Sequence, residues 1–177
     1  DGFAAQTTIR DVLMMSSGSS WDESYTSLFS ITTKAYYGND LEKLLHDEVK
    51  IIETPGKKWN YKSGDTQLLA FILEKATGKH VAEYASEKLW IPLGAEMPAQ
   101  WSLDKKDGHE KAFCCIYSNA RDFARIGKLM LDSGSWKGKQ LLSKDYVRHA
   151  ISANHLLYDY DTTSQVSMYG YQWWLMN

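Results

Sequence analysis

A tyrosine and a serine two residues apart, Tyr61 and Ser63, stand where an aromatic stretch runs into a helix. They belong to the segment Pro55-Gly56-Lys57-Lys58-Trp59-Asn60-Tyr61-Lys62-Ser63-Gly64-Asp65-Thr66-Gln67. This is a Pro-Gly turn, a short extended piece and then Tyr-x-Ser at a helix mouth. Both side chains can point into one cleft there, and the helix N-terminus adds a positive partial charge. A phenol so placed serves as a proton acceptor if nearby cations lower its pKa from about 10. Two plainer roles stand beside this one: Tyr61 as a helix-start tyrosine packed on Trp59, and Ser63 as a helix N-cap. Lys62, between them, is expected to face solvent.

The elements that must position this pair are legible around it. Leu68, Leu69, Ile72, Leu73 and Ala76 form a stripe and Gly78 follows as a stop, which predicts a helix over about 64–77. Upstream, Thr8 and Asp11 suit a capping box for a short helix over 8–15. Residues 16–38 read as an ordered loop with partial helix, and Asn39 or Asp40 caps a helix carrying Leu41, Leu44 and Leu45. A further helix spans 80–90 and stops at Pro92 and Gly94. Residues 95–118 look irregular. The strongest helix runs over 119–132, with Ala120, Phe123, Gly127, Met130 and Leu131 on its apolar face and Arg121, Arg125, Lys128 and Asp132 opposite. Ser143 caps a last helix to about 151, and Met168 to Leu175 reads as a strand.

Composition sets the outer bounds. The 177 residues suffice for one domain with a real core, and 44% hydrophobic with 24% charged residues is ordinary for a globular protein. A net charge of −2 with scattered Lys and Arg argues against nucleic acid as a partner. No apolar run approaches the roughly 18 residues of a membrane span. Cys114 and Cys115 are adjacent; a bond between neighbours needs a strained ring, so they are expected to be buried, inert thiols without a disulfide framework.

Other chemical motifs are weaker. Ser102-Leu103-Asp104-Lys105 has the spacing of a helical Ser/Lys pair, but it lies in a polar stretch ending in the turn signal Asp107-Gly108, so it is not expected to be a nucleophile. His109-Glu110 resembles the start of a zinc helix, yet no second histidine follows at the needed spacing. With five histidines dispersed along the chain, neither a metal site nor a cofactor is expected. Arg121-Asp122 reads as structural, Asp122 favouring the helix N-terminus.

Four blocks in register carry a family resemblance. Thr8-Ile9-Arg10-Asp11-Val12-Leu13-Met14-Met15-Ser16-Ser17-Gly18 precedes Tyr61-Lys62-Ser63 and its helix. Leu89-Trp90-Ile91-Pro92-Leu93-Gly94 and Asn119-Ala120-Arg121-Asp122-Phe123-Ala124-Arg125-Ile126-Gly127-Lys128-Leu129 follow it. Over most of residues 7–150 the chain resembles the serine beta-lactamase and penicillin-binding superfamily, in its class C-like branch. That branch also holds esterases and the 6-aminohexanoate-dimer hydrolases. Tyr-x-Ser and Trp21-Asp22-Glu23-Ser24-Tyr25 lean toward the esterase and oligomer-hydrolase side, since the beta-lactamases of this branch usually carry Tyr-x-Asn.

The resemblance implies a mainly α chain: the helical lobe of a beta-lactamase/transpeptidase-like α+β fold, with one C-terminal strand of a sheet lobe that lies elsewhere. It implies a single partial domain over 1–177, with the Ser-x-x-Lys nucleophile upstream of Asp1 and a Lys-Thr-Gly-like strand beyond Asn177. By resemblance, the intact protein cleaves a small-molecule amide or ester through an acyl-serine. Tyr61 is then the general base and acid, Ser63 bonds substrate or the lysine, and Trp21 and Tyr25 wall the substrate pocket, unless they serve core or loop packing. An extracytoplasmic bacterial location follows from the same likeness, and the 177 residues alone are expected to be inactive. A non-catalytic penicillin-binding-like module that recognises cell-wall peptide or a protein partner is the alternative. An autonomous helical domain with a closed core is a third reading.

Overall fold

A computed structural model describes residues 2–153, 157–161 and 164–176. Five of the described helices begin where a short polar side chain satisfies a free backbone N–H group of the first turn. Thr8 and Asp11 close the expected capping box on α1 (Ile9–Leu13). Ser30 caps α2 (Ile31–Tyr37), and Asp40 caps α3 (Leu41–Glu48). β1 (Lys58–Trp59) leads into α4 (Ser63–Thr77), the longest helix described, which ends on Gly78 in the left-handed conformation. Only glycine takes that conformation without a Cβ penalty, as its role of stop requires.

The expected helix over 80–90 is split. α5 (Val81–Ala85) passes into a π-turn over Ser86–Trp90, where Ile91 N donates to Ser86 O at 3.0 Å. Residues 95–118 are not wholly irregular: β2 (Gln100–Trp101) and β3 (Ile116–Tyr117) pair antiparallel. α6 (Ala120–Leu131) follows on the Asn119 cap, then the β4 (Ser135–Trp136) and β5 (Lys139–Gln140) hairpin, and α7 (Lys144–Ala150) on the Ser143 cap. β6 (Tyr158–Asp159) runs parallel to β1, with Trp59 opposite Asp159.

Two apolar clusters flank α4. On one side Trp21, Ala35, Leu41 and Leu45 pack with Leu68, Phe71 and Phe113. On the other, Met14, Met15, Trp59, Leu157, Val166 and Tyr169 form a core against which Tyr61 rests. A third cluster joins α6 to α7 through Met130, Val147 and Ala150.

Three expectations are corrected. The tail is not an extended strand. Tyr169 pairs with Trp174 in a tight hairpin, with Gly170 N donating to Trp173 O and Leu175 N to Met168 O, both at 2.8 Å. The hairpin meets its remaining backbone needs by docking: Tyr171 N donates to Ala150 O, and Gln172 N to Leu13 O. A lone strand would have left those groups unpaired.

The inward face of α6 is also different. Asp122, Leu129 and Met130 are buried, whereas Phe123 and Leu131 are exposed, Leu131 to 81%. Asp122 turns that face inward because its carboxylate accepts the backbone N–H groups of Glu96 and Met97, at 2.9 and 3.0 Å. Finally, Cys114 and Cys115 are half-buried and bonded to each other, not free thiols. Cys115 takes a positive φ of 69° as the chain passes through the pair.

A buried acid in α4 gives the fold a pH signature. Asp65 is fully enclosed, accepting from Ser17 Oγ at 2.7 Å and Ser19 Oγ at 3.3 Å, while its Oδ2 has no partner. Desolvation pushes its pKa up to about 6, against the lowering effect of the Ser17 bond and of nearby Lys62. The native state therefore holds this proton more tightly than the unfolded chain between pH 3.8 and about 6, so its stabilising effect is full below that window and is lost as pH rises through it. The shift corresponds to about 3 kcal/mol. We expect the stability of the parent protein relative to an Asp65→Asn variant to fall by about that amount from pH 4 to pH 7, read from urea midpoints. Parallel profiles for the two proteins would show that Asp65 does not titrate there. Asp47 and Glu87, drawn down to about 2 by His46 with Lys43 and by Lys79 with Lys88, act with the opposite sign, Asp47 below pH 3.8 and Glu87 below pH 4.5.

Candidate active site

The start of α4 is held from below by a carboxylate. Lys62 sits at the N-cap position with extended backbone and offers no capping side chain. The cap comes instead from Glu23, forty residues upstream: Ser63 N donates to its Oε2 at 2.7 Å and Ser63 Oγ to its Oε1 at 2.6 Å. Ser63 is thus a donor to an acid and not the N-cap itself. Trp21 Nε1 donates to the same Oε2 at 2.8 Å, and the Tyr25 hydroxyl donates to Oε1. Four donors converge on one carboxylate, next to the positive end of the α4 dipole.

Trp21 fixes this arrangement through packing. Its ring is buried and lies so close to α4 that a Cβ on Gly64 would fall 2.4 Å from Cε3. The indole therefore sits beneath the helix start and reaches the site only with its Nε1. Tyr25 is different: it is exposed, with its ring 6.4 Å from that of Tyr36. Lys62 does not face solvent. Its side chain is buried, and Nζ donates to the Ser19 carbonyl on the far side of the strand end. Extended backbone at Lys62 points its side chain away from those of Tyr61 and Ser63, toward Asp65.

Tyr61 is half-buried against Trp174, Tyr169 and the cluster around Trp59, with ring centroids 5.4 Å from Trp174 and 6.3 Å from Tyr169. Its hydroxyl makes no hydrogen bond among the described residues. Burial raises its pKa, and the charge of Glu23 raises it further. The expected lowering by cations is not met by any group at hand, since Lys62 turns away. Burial and Glu23 likewise push Tyr25 up to about 12. Glu23→Gln should therefore bring Tyr25 from about 12 down toward 10, because it removes the charge while keeping a carbonyl acceptor for the buried donors. Ultraviolet titration of the phenols, with Tyr25→Phe to assign the transition, checks this; an unmoved transition would remove Glu23 from the electrostatics of the site.

The other motifs fall outside this cluster. Ser102 follows β2, its N–H donating to Cys115 O, and Lys105 pairs with Asp40 at 3.1 Å. That stretch is a bridged loop and gives no helical face for a Ser/Lys pair. Glu23 is the residue that sequence reasoning passed over. Its only signal was membership of the Trp21–Tyr25 block, because nothing local marks a residue that caps a helix forty positions away.

All 177 residues match the family model described as Beta-lactamase. The chain belongs to the beta-lactamase family. This family member is 32% identical over 121 residues to the 6-aminohexanoate-dimer hydrolase of Paenarthrobacter ureafaciens, covering 66% of this chain and 31% of that protein. A candidate 6-aminohexanoate-dimer hydrolase from Bacillus anthracis superimposes with a TM-score of 0.80 at 25% identity, over 95% of this chain and 47% of that one. The octameric penicillin-binding protein homologue from Pyrococcus abyssi shares the fold, with a TM-score of 0.66 at 19% identity, over 93% of this chain and 42% of its own. The beta-lactamase-family chain thus spans under a third of that curated relative and about half of the solved structures. Among its described residues no helix is long and apolar enough to cross a membrane.

Proposed function

We propose that this chain is the helical part of a serine hydrolase that cleaves an amide or ester through an acyl-serine, with the nucleophile and a lysine supplied by sequence outside residues 1–177. The observation that carries the reading is Tyr61: a half-buried phenol with no hydrogen bond among the described residues, two residues from a serine that Glu23 locks at the α4 N-terminus. In this reading a lysine beside the nucleophile supplies the cation that the raised Tyr61 lacks. The Tyr61 phenolate takes the proton from the serine hydroxyl as the serine oxygen bonds to the substrate carbonyl carbon. The phenol then returns that proton to the leaving amine or alcohol as the scissile bond breaks, and water repeats the exchange to release the acid. Ser63 holds substrate or the lysine through its free lone pair, and exposed Tyr25 borders the substrate.

The chain alone is inactive in this reading, and a small amide or ester is the substrate. The 6-aminohexanoate-dimer hydrolase likeness favours an amide over an ester. Export to an oxidising compartment is part of the proposal, and the Cys114–Cys115 disulfide is in keeping with it. A non-catalytic penicillin-binding-like module is the second reading. It is favoured by the raised pKa of Tyr61, which suits a hydrogen-bond donor better than a base.

Treatment of the intact protein with a fluorophosphonate or fluorescent penicillin probe, followed by mass spectrometry of the labelled peptide, separates the two. Label on a serine outside residues 1–177 supports the hydrolase. No label on folded protein sinks it in favour of the binding module.

A further inference from the structure

At the far end of α4 the fold gathers two histidines and two acids that the sequence keeps well apart. Glu74 lies on the last turns of α4, His80 at the start of α5, and His109 and Glu110 in the loop before β3. From Ser63 to Glu74 the helix rises about 16 Å, so this cluster is separate from the Tyr61 site. One donor atom from each of Glu74, His80 and His109 lies within 4.8 Å of the other two. His109 Nδ1 is 2.7 Å from Glu74 Oε2; His80 Nδ1 is 3.5 Å from Glu74 Oε1 and 4.0 Å from Glu110 Oε2.

We infer that Glu74, His80 and His109 form a binding site for a divalent transition-metal ion of the zinc type, with Glu110 as its second buried carboxylate. Geometry and unmet bonding both point to it. Glu110 is 3% exposed, and its Oε1 accepts from Ala82 N at 3.1 Å, yet its Oε2 is buried with no hydrogen-bond partner among the described residues. Glu74 Oε1 is buried and unpartnered in the same way. Two orphan carboxylate oxygens beside two imidazoles are an unusual thing to bury, because buried polar groups are nearly always paired. Among the described residues neither acid has a lysine or arginine in an ion pair, so with neutral imidazoles the cluster carries two negative charges that a divalent cation would balance.

The donor set selects the ion. Two imidazoles with carboxylate oxygen suit zinc, nickel or copper and disfavour the all-oxygen preference of calcium and magnesium. Tetrahedral bonds of about 2.0–2.2 Å need donors about 3.4 Å apart. The exposed His80 ring is free to turn and close the remaining gap. The His109 ring is already oriented, standing edge-on to Phe71 with centroids 5.0 Å apart. A bound ion would tie the end of α4 to the start of α5 and to the bridge between Leu103 and Glu110.

The test is calorimetric titration of chelator-treated full-length protein with zinc chloride, paired with the visible ligand-field spectrum of the cobalt(II) form. We expect one ion per chain, a raised unfolding temperature and tetrahedral cobalt absorption. His80→Ala should lower affinity by tenfold or more and still fold, since its ring is exposed. His46→Ala should change nothing, although His46 borders the same pocket as Glu74 and His109. His109→Ala should act like His80→Ala. No binding to folded protein, binding undiminished in His80→Ala, or octahedral cobalt unaffected by either variant would overturn the site. None of these readouts depends on hydrolase activity, so the outcome stands apart from the reading of Tyr61.

Discussion

Tyr61→Phe in the intact protein should slow acylation by a fluorophosphonate probe by about 10²–10⁴-fold, the range for losing a positioned acid–base group. The substitution removes one oxygen and leaves the ring that packs on Trp174 and Tyr169, so the fold should be kept. No hydrogen bond among the described residues is lost with that oxygen. This makes the result specific: a rate that falls while the unfolding midpoint stays put assigns the hydroxyl to chemistry. Acylation at the wild-type rate would show that Tyr61 moves no proton, and another base would have to be sought.

The pH profile sharpens the same test. Burial and Glu23 both raise Tyr61 in this chain. An ionised phenol at neutral pH therefore requires a compensating cation beside it. If the parent provides one, acylation should lose its limb of base dependence in Tyr61→Phe. Glu23→Gln should move that limb to lower pH, because removing a negative charge favours the phenolate.

Gly64→Ala should destabilise the protein by about 1–3 kcal/mol, the opposite of what helix propensity predicts. Alanine in place of glycine inside a helix ordinarily adds up to about 1 kcal/mol. Here the new methyl would fall 2.4 Å from Cε3 of the buried Trp21 ring. Displacing that ring also displaces its Nε1 from Glu23, and with it the cap on Ser63. The variant should therefore lose acylation as well as stability. Urea midpoints together with probe labelling check both. A stabilised Gly64→Ala would show that the indole yields and that Trp21 does not fix the site.

Much of the framework around α4 was legible because its causes are local. A cap is a side chain reaching three residues ahead, so Thr8 and Ser143 could be read in place, and Asp40 as one of two neighbours. Gly78 as a stop is equally local. The family blocks were legible for a related reason: they are contiguous runs, and the family match extends over all 177 residues.

Long-range partners were not legible. Lys62 was expected in solvent, yet Ser19 and Asp65 draw it inward. Phe123 and Leu131 look like core on a helical wheel, but the backbone donors of Glu96 and Met97 make Asp122 the buried residue. The tail has the composition of a strand and folds back on itself because Leu13 and Ala150 offer it carbonyls.

By itself, the sequence determined most of the helical segments, among them α3, α4, α6 and α7, the placement of Tyr61 and Ser63 at a helix mouth and the family that the four blocks denote. Only the tertiary structure decided what those side chains touch. It put Glu23 under Ser63, raised the Tyr61 phenol where a base role needs cations to lower it, and brought His80 and His109 together across an interval that the sequence shows as dispersion. Helix signals depend on neighbours within one turn, whereas a carboxylate's charge and a metal's donor set act through space between residues dozens of positions apart.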